Sequence, residues 1–236
     1  MSDSTAKLQN NRVDNAVSVA KGILGAIPFA GGAFAELIGT VVPNQRLDRI
    51  TSFLIELDKR LEKFEIEMLK RNELSLDLFE DGMYQAVRVL SEARNRYLAN
   101  FIKHSIDVDS NSYSIKKRLL SILQDLTDRD IEILKSISED RYQATARKYG
   151  TRSLAMGEVK ALSDDEKYEY DHERASFGLH LSTLNRLSLV NIQNKQVDPK
   201  KRRSHLDFNT GLPEIEDCSI TRIGQLLLMN IQTNDC

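Results

Sequence analysis

Phe177-Gly178-Leu179-His180-Leu181-Ser182-Thr183-Leu184-Asn185-Arg186-Leu187-Ser188-Leu189-Val190 is the stretch on which the fold class turns. Leu181, Leu184 and Leu187 recur at helical spacing, and the apolar pair Leu189-Val190 behind them reads as the start of a short strand. A long polar loop then returns through Ser219-Ile220-Thr221 into a last helix, Arg222 to Ile231. Upstream, a helix around Ile115 to Leu126 is followed by Thr127-Asp128-Arg129-Asp130. There Thr127 is placed to cap a helix whose buried face is Ile131, Ile133, Leu134 and Ile137. Ser163-Asp164-Asp165-Glu166 is a capping box for a further helix. Helix, helix, helix, strand, long wing, strand and closing helix is the order of a winged-helix domain. Residues 115–236 are therefore expected to form a winged-helix-like α+β domain in a mainly α protein.

Toward the N-terminus the pattern changes. Leu47, Ile50, Leu54, Leu57, Leu61, Phe64 and Met68 alternate steps of three and four, and Phe79, Met83, Ala86, Leu90, Ala93 and Tyr97 repeat that rhythm. The spacing predicts two long helices, Gln45 to about Arg71 and a second reaching His104, made antiparallel neighbours by the short connection Asn72 to Ser75. With the helical pattern that starts at Arg12, they suggest an N-terminal helical bundle over residues 12–106. Residues 1–11 are polar and aperiodic and read as a disordered terminus. Residues 107–114 read as a linker. Asp107, Asp109 and Asn111 fall at the first alternate positions of a calcium loop, but Ser112 stands where the turn needs Gly and Arg118 where a bidentate Glu should be. Caps for the flanking helices are the better use of those side chains.

The chain's 33 basic and 35 acidic residues nearly cancel, so no broad basic surface marks a bulk nucleic-acid binder. Five of its 11 glycines lie between Gly22 and Gly39, in a run from Gly22 to Pro43 whose only charge is Glu36. A spanning helix needs about 20 continuous apolar residues, and Pro28 with Gly31-Gly32 divides this run into shorter arms. Two apolar arms around a Pro/Gly turn make a hairpin over 22–43 that can shelter inside a bundle or engage a membrane, small residues allowing close helix contact. The membrane-facing set is Gly22, Ile23, Leu24, Ile27, Pro28, Phe29, Gly31, Gly32, Phe34, Glu36, Leu37 and Ile38. An acid at a membrane centre costs roughly 2.5 to 3.5 kcal/mol, so Glu36 must snorkel, pair or lose its charge.

The pairing of L-x-x-L-x-x-L-S-L-V (181–190) with I-T-R-I-G-Q-L-L-L (220–228), together with the Gly/Pro segment and the helical middle, resembles the abortive-infection alpha family of bacteria. In that family a leucine-rich helix ends in a strand and a Thr-x-x-Gly turn starts the last helix, places held here by Thr221 and Gly224. The resemblance implies a role in phage defence and transfers no catalytic residue. Residues 22–45 also look like the apolar hairpin of helical pore-forming toxins such as the colicins.

The sequence holds no Walker A string, no G-x-G-x-x-G, no H-E-x-x-H and no G-x-S-x-G. Cys218 and Cys236 lack metal or redox spacing. Arg174 and His180 have the R-x5-H spacing of some helical ribonucleases, in which an Arg holds phosphate while a His exchanges protons. Those domains pair two long helices, whereas this spacing falls inside the expected winged helix. The expectation is a non-enzymatic protein with no cofactor and no metal site. Its expected partners are inner-membrane lipid and an unidentified protein, with homo-oligomerisation also compatible. With no signal peptide at the N-terminus, a cytoplasmic location, peripheral at the inner membrane, is expected. The alternative is a DNA-binding winged-helix regulator contacting DNA through Thr183, Asn185 and Arg186 on the third helix and Lys200, Lys201, Arg202 and Arg203 in the wing.

Overall fold

The computed structural model describes residues 44–140, 142–149, 156–195 and 213–232. The expected disordered terminus, the apolar hairpin with all twelve of its membrane-facing residues, and Lys200 to Arg203 lie outside them. Among the described residues the fold is mainly helical and carries one two-stranded antiparallel sheet. Among the described residues, no helix is long and apolar enough to cross a membrane. The described residues fall into two compact units, one running to Gln124 and including Asn230 onward, the other Asp125–Met229.

In the first unit, α1 (Asn44–Asp58), α2 (Lys63–Arg71), α3 (Glu73–Ala86), α4 (Glu92–Lys103) and most of α5 (Ser110–Asp125) surround one apolar core. Ile50, Phe53, Leu54 and Leu57 from α1 are wholly buried with Leu78, Phe79 and Met83 from α3 and Leu98 and Phe101 from α4. The Phe53 and Phe79 rings meet tilted, centroids 6.4 Å apart, within the range where aromatic pairs attract. Buried Gly82 in α3 lies close under Ile102, where an added Cβ would come within 3.1 Å of Cδ1.

The two long helices expected from the three-four rhythm are four shorter ones. Between α1 and α2, Glu62 and Glu65 form a capping box, Glu65 Oε2 accepting from Glu62 N at 2.8 Å, which starts a new helix inside the apolar repeat. Between α3 and α4, Ser91 Oγ accepts from Arg94 N at 3.1 Å and does the same. Two residues of the repeat consequently face solvent, Phe64 at 58% and Leu90 at 86% exposure.

The 107–114 segment is tied down rather than linking. Asn72 Nδ2 donates to Val108 O at 2.9 Å, Ser75 Oγ donates to Ile106 O at 2.7 Å, and Ile106 and Val108 are buried. Asp109 turns its carboxylate onto Ser112 N at 2.8 Å at the start of α5. That helix belongs to the first unit. Gln85 Nε2 donates to Leu120 O at 2.9 Å, and Lys117 Nζ reaches Asp77 at 2.6 Å and Asp81 at 2.8 Å. The unit boundaries thus fall at Gln124/Asp125 and Met229/Asn230, not at residues 107–114.

Lys116 on α5 donates to His104 O at 2.7 Å and to Asn230 Oδ1, with Phe101 beneath its ammonium at 5.7 Å. Burial pushes this amine down to about 8. A lysine whose folded pKa lies below its unfolded value binds fewer protons folded than unfolded, so its penalty is full below pH 8 and is relieved as pH rises toward the unfolded value. Two outcomes are expected: a Cε resonance of Lys116 titrating near pH 8 in NMR of 13C-lysine protein, and stability relative to Lys116→Met rising between pH 8 and 10. A titration coincident with surface lysines would refute this.

The second unit begins with the two caps read from sequence. Thr127 Oγ1 accepts from Asp130 N at 3.1 Å to start α6 (Asp128–Glu139), and Ser163 Oγ accepts from Glu166 N at 3.3 Å to start α9 (Asp164–Arg186). Between them lie α7 (Tyr142–Tyr149) and α8 (Met156–Ala161). Then β1 (Val190–Asn194) pairs antiparallel with β2 (Ile215–Ile220), Val190 opposite Ile220 and Ile192 opposite Cys218, and α10 (Arg222–Ile231) follows. Both strands run further into the expected polar loop than its composition suggests. Against the sheet, α9 packs on α6 and β1, and α6 and α7 pack on β2. Ile131, Ile133, Leu134, Leu184, Leu189 and Leu227 close the core.

Cys218 is buried in β2, and burial, with Asp217 adding to it, pushes its thiol up to about 12. In a Cys236→Ser background, iodoacetamide at pH 8 is expected to label native Cys218 roughly 100-fold more slowly than the unfolded chain. Equal rates would show an open strand.

Candidate functional site

Two features of the second unit are built to close tolerance. The first is the corner where α9 becomes β1. Ser188 there has a left-handed φ of 59°. Thr221 fastens the corner: its N–H donates to Leu189 O at 2.9 Å, and its hydroxyl hydrogen lies between Ser188 O at 2.7 Å and Leu189 O at 3.1 Å. The same Oγ1 accepts from Gly224 N at 3.1 Å and so caps α10. Gly224 is required by this approach, since an added Cβ would collide with Leu189 O and stand 2.7 Å from Ile220 Cγ1.

The second is a cleft of about 180 Å³ among α6, α7 and α9. His172, Ser176 and His180 reach it from one stripe of α9, four residues apart, as a 3.6-residue repeat requires. Glu173 joins them, and Arg129 from α6 and Lys148 and Tyr149 from α7 complete the lining. Behind the cleft, His180 Nδ1 meets Asp130 Oδ1 at 2.8 Å. Asp130 is only 2% exposed, and its other oxygen accepts from Thr127 N and Thr127 Oγ1, each at 2.6 Å. A carboxylate only accepts, so Nδ1 carries the proton and Nε2 is left as the nitrogen that can take or give one. Arg129 lies over the Tyr149 ring at 4.4 Å and Lys148 lies 5.0 Å from the same ring.

The first unit has its own concavity, a groove of about 1100 Å³ between α1, α3 and α5. Exposed Leu90 and Tyr84 line it with Arg49, Arg88 and Arg118. Lys117 in its wall is held charged by Asp77 and Asp81 against the opposing effect of burial.

Of the residues singled out for DNA, Thr183, Asn185 and Arg186 occupy the last turn of α9, Thr183 half-buried and the other two exposed. The R-x5-H pair is not brought together: six residues leave side chains roughly 120° apart around a helix. Arg174 donates to Tyr170 Oη at 2.9 Å instead, while His180 faces Asp130. Sequence reading missed the Asp130–His180 pair because its members are 50 residues apart. The H-x3-S-x3-H stripe was the only local signal of the cleft. The chain matches no protein-family model, and no curated protein and no solved structure matches it.

Proposed function

We propose that this chain is a non-enzymatic defence protein of the abortive-infection type, whose apolar segment 22–43 engages the membrane and whose winged-helix-like second unit docks a partner or sensor protein. The charge of α9 carries the docking role. Asp164, Asp165, Glu166, Glu169, Asp171 and Glu173 are all exposed on it, repelling a phosphate backbone and complementing a basic protein surface. The Thr221-to-Gly224 turn, which locks a leucine-rich helix and strand to the last helix, supports the kinship with abortive-infection alpha proteins. The membrane role is supported by the single charge in residues 22–43.

Flotation with phosphatidylethanolamine and phosphatidylglycerol vesicles tests the membrane half. Co-flotation with dye release is expected, and both should be lost in an Ile27→Asp, Leu37→Asp variant. No lipid-bound fraction at neutral or acidic pH would count against the reading. The second reading, a DNA-binding regulator, is favoured by exposed Asn185 and Arg186 beside β1. A duplex shift at physiological salt that disappears when Lys200, Lys201, Arg202 and Arg203 are changed to Ala would establish it instead.

A further inference from the structure

The cleft behind α6, α7 and α9 has the makings of a ligand site independent of either role above. We propose that it binds the terminal phosphate of a small phosphate monoester. Its lining brings together residue types that donate to oxyanions, from three separate helices: Arg129, Lys148, Tyr149, Ser176 and His180. A tetrahedral oxyanion takes several hydrogen bonds at once, and cationic donors strengthen each of them.

The Asp130–His180 bond is what makes this a prepared site rather than a chance gathering of surface charge. Asp130 is buried, its second oxygen is taken up by Thr127, and its first holds Nδ1–H of His180. The ring is thereby locked in orientation, with Nε2 the nitrogen left for a ligand. Tyr149 performs the same office for the cations, since Arg129 and Lys148 both rest against its ring. Arg129 gives one donor to exposed Glu132 at 3.0 Å and keeps others on its fork.

Size and charge narrow the ligand. About 180 Å³ accommodates a phosphate head, below the 300 Å³ or more of ordinary drug-sized pockets, so the remainder of the ligand extends outward. Glu173 in the lining and the acidic face of α9 penalise a polyanionic backbone far more than one phosphate.

Calorimetric titration of the full chain with inorganic phosphate, 5′-AMP and adenosine tests the proposal, alongside 15N spectra of the His180 ring. Phosphate and 5′-AMP are expected to bind, adenosine not, with the Nε2 resonance moving on phosphate addition. In Arg129→Ala, Lys148→Ala protein, whose changed side chains are exposed, affinity should fall at least about tenfold while thermal stability holds. His180→Ala should weaken phosphate to a similar degree. Three results would overturn the proposal: no heat and no Nε2 movement up to about 10 mM phosphate or 5′-AMP, equal affinity in the double variant, or adenosine binding as well as 5′-AMP.

Discussion

Gly224→Ala is expected to destabilise the second unit by about 2 kcal/mol or more, lowering its melting temperature by roughly 10 °C. Two effects oppose each other. Alanine favours a helix over glycine by roughly 1 kcal/mol, which would stabilise α10. Against that, the new methyl collides with Leu189 O, a backbone atom pinned by Thr221 N at 2.9 Å, and with Ile220 Cγ1 at 2.7 Å. A backbone oxygen cannot rotate aside, so the strand end or the helix start must move, and overpacking of this sort costs about 1 to 3 kcal/mol or more before the corner hydrogen bonds are counted. Gly82→Ala is the control. There the nearest atoms belong to the flexible Ile102 side chain at 3.1 and 3.2 Å, and the helix gain roughly offsets the crowding. Circular-dichroism melts of both variants decide it. A Gly224→Ala melt unchanged beside a lowered Gly82→Ala melt would reverse the assignment of the tight corner.

Asp130→Ala is the second large effect, an expected loss of about 3 kcal/mol. The substitution removes the helix-start acceptor for Thr127 N and Oγ1 and strands a half-buried imidazole whose Nδ1–H had a carboxylate partner. Loss of a cap alone costs about 1 kcal/mol, and an orphaned buried donor adds a comparable penalty. Denaturant titrations of Asp130→Ala, His180→Ala and the double variant should give a coupling of about 1 kcal/mol or more. Additive effects would mean that the bond contributes nothing to folding.

What could be seen in advance was local. Thr127 and Ser163 each stand three residues before the acid that completes their box, so both helix starts are written in contiguous sequence. The closing helix and the turn at Thr221 were equally visible, because leucine spacing and a strand-like pair flank them. Crowding or distance hides the rest. The Glu62–Glu65 box sits in a run of charges that reads as an ordinary helix surface, so the break it makes between α1 and α2 disappears into one long helix. Asp107 to Ser112 reads as a linker until Asn72 and Ser75, more than 30 residues earlier, are found holding Ile106 and Val108. Nothing short of the fold brings Asp130 to His180.

The discontinuity of the first unit has a consequence for biosynthesis. Asn100 Nδ2 donates to Ile231 O at 2.8 Å, and Lys116 and the His104 ring both reach Asn230, whose residues are made after the whole of the second unit. At ordinary ribosomal speeds the intervening stretch takes roughly 5 to 20 s to synthesise. Through that interval α4 and α5 lack these partners from the end of α10, while the second unit is one continuous stretch that emerges in a single run. The unit encoded first is completed last.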